Sequence, residues 1–294
     1  MDFWNGLLQI LIDAGMMTLR LLPGLFGGLF VFGLLLYLSA RFTRNVFAKT
    51  FGPRAEIYIT AWAGTPVHEL GHAFFCLIFG HKITKISLFK PNSKEGTIGF
   101  VQHSYDKKNL YHQVGNFFIG AGPLIFGSLS IVFLLWLLVP GGSIVLSNLR
   151  QAGMTITGQV PGMGEIFQVF GLSVKSFVSQ LFTSENLHSW RFWVFLYLAM
   201  AISAHAELSP PDISAMLKGF FVIMLLFFLI NLIYVIFWPA TQSFLFYGIR
   251  FFDLLVPVLF VAFLFSLFYF LLAFIVATLV SLVRNGEMVN PFTR

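Results

Sequence analysis

The chain has 294 residues, a net charge of +6, and only 10% charged against 57% hydrophobic side chains, with 38 phenylalanines. Soluble domains hold about 45–50% apolar residues, so with a mean hydropathy of +0.84 this composition excludes an ordinary soluble enzyme and fits an integral membrane protein. The basic residues are scattered, which argues for membrane-surface bias and against nucleic-acid binding. One cysteine, Cys76, rules out an intrachain disulfide and reads as a small apolar filler.

The length suits about six spans with modest loops. The expected fold is an all-α polytopic membrane protein of about six transmembrane helices, with one short membrane-associated β-hairpin. Asp2 and Asp13 stand where a signal peptide carries basic residues, so no cleavable signal is expected. Residues 3 to 20 mix apolar clusters with Asn5, Gln9, Asp13 and Arg20 and read as an interfacial or packing helix. Leu22 to Ala40 is long enough to cross. Arg41 to Glu56 carries four basic residues and a Gly52-Pro53 turn. These parts, 1–56, form an N-terminal unit.

A core unit, 57–238, follows. An apolar helix from Ile57 to Gly80 contains His68-Glu69-Leu70-Gly71-His72. One helical turn separates the two histidines, so both rings can reach one Zn²⁺, while Glu69 is a non-ligand carboxylate placed to take a proton from water. Lys82 to Tyr105 switches to a hairpin pattern around the turn-rich Pro91 to Gly96. His81, His103 and His112 lie in or near this basic loop and are expected to face solvent. A third span runs from Gly115 to Val139 and holds Gly-Ala-Gly-Pro at 120–123; Asn116 within it is a buried amide, either a helix-packing group or a substrate contact. Pro140 to Ser189 reads as amphipathic or re-entrant pieces, with His188 interfacial. Trp190 to Ala204 is a short apolar helix, and a further helix runs through Trp238. The remaining unit, 239–294, holds a last span from Leu254 to Val283 and a tail. No internal repeat is evident.

Catalytic zinc needs a third protein ligand. The break His205-Ala206-Glu207-Leu208-Ser209-Pro210-Pro211-Asp212 is the strongest candidate, because irregular backbone at membrane depth survives only where buried or lining a cavity. Two prolines in a first helical turn would hold Asp212 at a helix N-terminus, where the dipole favours a carboxylate. Asp212 is therefore the expected ligand. His205 is the alternative ligand, or a group acting in catalysis beside Glu69, and Glu207 reads as a boundary charge.

Taken together, HELGH in an apolar helix, a hairpin directly after it, Ala-Gly-Pro at 121–123 and a later carboxylate at a helix break resemble the site-2-protease class of intramembrane zinc metalloproteases. The resemblance covers residues 57 to 238. It implies peptide-bond hydrolysis within the bilayer, with Zn²⁺ on His68, His72 and Asp212, Glu69 as general acid and base, and His205 or Asn116 as oxyanion donor. Substrates would be membrane proteins or peptides, bound by strand addition to the hairpin. The chain departs from the family in having Ile213 where an Asp-Gly motif has glycine, and Phe126 where an asparagine often follows. No loop is long enough for a PDZ domain, so regulation is expected to come through separate membrane proteins or through trimming of the substrate before it binds. Six lysines between 81 and 112 argue for the cytoplasmic side for that loop and the active site near it; the basic 41–56 loop would then lie opposite, and the short termini without organelle signals lead one to expect a prokaryotic plasma membrane. Other classes fitting the same residues are a metal transporter built on the broken helix, a catalytically silent scaffold, and a zinc hydrolase of lipid-like substrates.

Overall fold

The computed structural model describes residues 3–92, 97–145, 147, 163–237 and 255–292. The tip of the expected hairpin turn (93–96), most of the stretch 146–162 and the junction at 238–254 lie outside the described residues.

Helix α1 (Phe3–Leu22) does not stand apart as an interfacial element. It runs through a π-helical segment, Pro23–Gly27, into α2 (Gly28–Thr50) with helical backbone throughout. The combined stretch Trp4–Thr50 is 47 residues, about 70 Å at 1.5 Å per residue, well beyond a bilayer core of about 30 Å. Gly52, at a φ of 92°, supplies the left-handed residue that turns the chain after α2. A second π-helical segment, Ile57–Ala61, leads into the motif helix α3 (Trp62–Ile78). Gly80, at a φ of 68°, ends it in the usual way for a helix terminus.

The expected hairpin is present: β1 (Lys82–Ser87) pairs antiparallel with β2 (Phe100–Ser104), with an irregularity between Ile83 and Lys85. Lys90 N–H to the Ile98 carbonyl, 2.6 Å, continues the pairing past the strands. The expected third span is instead two helices, α4 (Leu110–Gly120) and α5 (Gly122–Leu138), bent by 57° at Ala121. Then come α6 (Met163–Leu181), the short α7 (Ser184–His188), α8 (Trp190–Ala204), α9 (Pro210–Phe237) and α10 (Leu255–Asn285). Three stretches are long and apolar enough to cross a membrane: Trp4–Thr50, Pro210–Phe237 and Leu255–Asn285. The bent pair makes a fourth if counted as one span. Six spans are not reached among the described residues, because α3 and α8 are short and α4–α5 is broken.

Helix α3 lies at the centre, against α4, α5 and α8. Its outward side shows Leu70, Phe74 and Leu77, all exposed and apolar, as a lipid-facing surface requires. Around it, α9 packs on α1 and α4, and α10 on α2, α5 and α8. Many phenylalanines are core groups in edge-to-face pairs: Phe26 meets Phe117 and Phe220, each at 5.1 Å, and Phe195 meets Phe265 at 5.3 Å. Without a hydrophobic force between helices in lipid, close backbone approach through small residues becomes decisive. Gly71 and Gly122 make the α3–α5 crossing, where a Cβ on either would come within 2.8 Å of the other's carbonyl oxygen. Gly120 and Gly219 do the same between α4 and α9.

Of the three loop histidines, expected to face solvent, His81 is buried and His103 and His112 are half-buried. His81 is 4% exposed, donates Nε2–H to the His112 carbonyl at 2.9 Å, and meets His103 Nδ1-to-Nδ1 at 3.0 Å. Its ring also stacks on Tyr105. Since a carbonyl only accepts, His81 Nδ1 is free to accept from His103. This pair ties β2 to the end of α3. Burial lowers the pKa of His81 below the usual value, and burial followed by the neighbouring His81 lowers His103 to about 4. An unfolded histidine titrates near ~6.5, so the stability held by these neutral rings is present above that pH and lost as pH falls toward 4. Amide protection factors in β1 and β2, which correct for the intrinsic pH dependence of exchange, are therefore expected to fall roughly tenfold between pH 7 and pH 5. The effect should flatten in His103→Gln; equal pH responses of the two proteins would refute this role.

Candidate metal centre

Two helix breaks build the site. In an unbroken helix the Ile119 carbonyl would accept from the N–H of residue 123, but that residue is Pro123 and has none. The 57° bend follows there, and His72 Nδ1–H takes up the Ile119 carbonyl at 2.8 Å. The second break is 205–209, between α8 and α9. It leaves the His205 carbonyl without a helical partner from its own segment, and His68 Nδ1–H donates to it at 2.7 Å. A carbonyl cannot donate, so both imidazoles carry their proton on Nδ1 and, when neutral, present a lone pair on Nε2.

Both Nε2 atoms point at Asp212. His72 Nε2 lies 3.1 Å from Oδ1, and His68 Nε2 lies 3.7 Å from Oδ2. Asp212 is held from the other side by Ser209, whose backbone N–H and hydroxyl both donate to Oδ2, at 2.8 and 2.6 Å. In return the Asp212 N–H reaches Ser209 Oγ at 3.4 Å, a reciprocal capping arrangement at the start of α9. Asp212 thus occupies the first turn of α9 after Pro210 and Pro211, as the sequence leads one to expect.

Two lone pairs facing one carboxylate repel unless a positive charge sits among them. One proton on His72 Nε2 would satisfy the 3.1 Å contact but leave His68 unpaired, and two would create adjacent imidazolium rings, their centroids 5.1 Å apart; one divalent ion satisfies all three donors at once. The three ligand atoms lie within 4.8 Å of one another, and ligands at about 2 Å around a tetrahedral ion stand ~3.3 Å apart, between the two contacts above. Among the described residues this is the one group of three His, Cys, Asp or Glu side chains placed to share an ion. The donor set of two imidazoles and a carboxylate fits Zn²⁺, and the carbonyls behind the rings are the outer contacts that fix ligand tautomer and orientation.

Glu69 is buried beside this group and makes no part of it. The backbone before β2 covers it: a Cβ on Gly99 would lie 2.9 Å from Glu69 Oε1 and 2.8 Å from Thr65 Cγ2. The His205 imidazole turns away from the ligands. Its Nε2 meets Thr60 Oγ1 at 3.1 Å, and its ring packs on Gly64, where a Cβ would come within 2.5 Å. His205 thus serves the centre through its backbone carbonyl. Asn116 is buried in α4. Glu207 is no boundary charge: both its oxygens pair with the Arg44 guanidinium. His188 is exposed.

The sequence reading missed the carbonyls of Ile119 and His205, and Thr60, Ser209 and Arg44. Pro123 was a usable signal for the first, and the spacing of Ser209 to Asp212 for the cap. Nothing local marks Thr60 or Arg44. No protein-family model matches this chain, and no curated protein or solved structure is significantly similar to it.

The purified protein is expected to hold about one zinc per chain, measured by metal analysis in detergent. His68→Ala and Asp212→Ala should lose it. His205→Ala, which keeps the backbone carbonyl, should retain zinc; loss there with retention in Asp212→Ala would move the third ligand.

Proposed function

We propose that this chain is an intramembrane zinc metalloprotease of site-2-protease type, hydrolysing peptide bonds of membrane-spanning or membrane-associated substrates. The observation that carries the reading is the convergence of His68 Nε2, His72 Nε2 and Asp212 on one point, each ring locked by a carbonyl, with Glu69 adjacent and uncommitted to the ligand set. Polar groups of this kind among apolar helices are costly and are kept for function.

His68, His72 and Asp212 would hold the ion. Bound Zn²⁺ supplies a Lewis acid that acidifies water and polarises a carbonyl oxygen. Glu69 takes the proton from the attacking water and returns it to the leaving amine, so that the peptide C–N bond breaks with protons in balance. The hairpin lies directly above Glu69 through Gly99, so an extended substrate added to its edge would arrive at the catalytic carboxylate. Lys82, Lys85 and Lys90 on the hairpin favour a cytoplasmic-side placement.

Replacing Glu69 by Gln should cut hydrolysis of a transmembrane peptide by about 10²–10⁴-fold with zinc retained. Unchanged activity would sink the protease reading and favour a metal-transport role. Gly99→Ala should lower turnover without releasing zinc, because its methyl presses on Glu69 and not on a ligand. Release of zinc in that variant would contradict the assignment of Gly99 to Glu69.

A further inference from the structure

Every outer contact of the second break comes from five residues, 205–209. At one end the His205 carbonyl receives His68, and the His205 ring bonds Thr60, whose hydroxyl donates to the Glu56 carbonyl at 3.1 Å. At the other end Ser209 holds Asp212. Midway, two residues from each end, stands Glu207. Ala206 and Leu208 on either side of it are 1% and 6% exposed and sit in the apolar interior. Glu207 instead reaches α2, where Arg44 Nη2 donates to Oε2 at 2.8 Å and Nη1 to Oε1. Glu207 is not part of the ligand set of His68, His72 and Asp212.

From this placement we propose that Arg44 and Glu207 are positioning residues for the metal centre: the two-pronged ion pair pins the midpoint of 205–209 and thereby sets both the carbonyl that aims His68 and the cap that aims Asp212. This rests on the metal-centre reading above. The physical reason is the cost of an unpaired charge. The cost falls chiefly on Glu207, whose side chain is 18% exposed against 41% for Arg44: without Arg44 its carboxylate is left unpaired among buried neighbours, and the segment must shift to solvate it. A shift at Glu207 propagates both ways within two residues. Arg44 also has somewhere else to go. Glu56 is buried, its Oε1 has no hydrogen-bond partner, and it lies within the field of Arg44. With Glu207 neutralised, the guanidinium turns toward Glu56 and away from the segment. The planar fork matters as well as the charge, so Lys is a poor substitute for Arg44.

The test is a Zn²⁺ titration of the full-length protein in detergent, with the absorption bands of the Co²⁺-loaded form as a geometric readout. Glu207→Gln and Arg44→Gln are expected to weaken metal affinity about 10–100-fold and to alter the Co²⁺ spectrum, with Arg44→Lys intermediate. The exchanged pair, Arg44→Glu with Glu207→Arg, should recover part of the affinity. Ser266→Ala, which removes the 2.9 Å Ser266–Ser39 bond between α10 and α2, controls for general loosening and should keep wild-type affinity. Wild-type affinity and spectrum in Arg44→Lys and Glu207→Gln would overturn the inference, as would an equal loss in Ser266→Ala. A wild type that binds zinc tightly yet cleaves no peptide would instead defeat the protease reading alone. A wild type that binds no zinc would overturn both.

Discussion

Backbone carbonyls in a membrane must find donors, and this structure depends on where two of them find theirs. A continuous helix consumes its own carbonyls. Pro123 and the break at 205–209 each release one, and each is taken by a histidine of the same helix, α3. The exchange settles two problems together. The orphaned carbonyl is paired, as low-dielectric surroundings demand, and the imidazole is fixed in the tautomer that leaves Nε2 open. Each histidine is aimed by a carbonyl at one of the two breaks.

The helices can approach closely enough for this because glycines occupy the crossings. Gly71 against Gly122 brings α3 onto α5 just beyond the bend. Gly120 and Gly219 bring α9 onto α4, which sets Asp212 beside His72. Gly64 admits the His205 ring. The apolar groups, including the edge-to-face phenylalanines, then fill the space left around these contacts.

Two charged contacts meet on one irregular segment: Arg44 pairs with Glu207 at its midpoint, and Ser209 at its end caps Asp212. Among the loop histidines, His81 and His103 share one N–H contact and keep the hairpin against the end of α3. The hairpin in turn lies on Glu69 through Gly99.

The sequence alone determined the chemistry-bearing residues. A one-turn spacing places His68 and His72 on one face whatever surrounds them, and Ser209, Pro210, Pro211 and Asp212 specify a capped helix start by local bonding. The hairpin was legible from its turn residues and alternation. The span count was not, because hydropathy does not register the 57° bend at Ala121 or the joining of α1 to α2. The environments of His81, Glu207 and His205 were equally hidden, since each is set by a partner distant in the chain: β2 for His81, Arg44 for Glu207, Thr60 for His205. Local periodicity fixes which way a side chain leaves its own helix. Only the packing of one helix on another decides what it meets there, and so which histidine nitrogen faces Asp212 and which is held by a carbonyl.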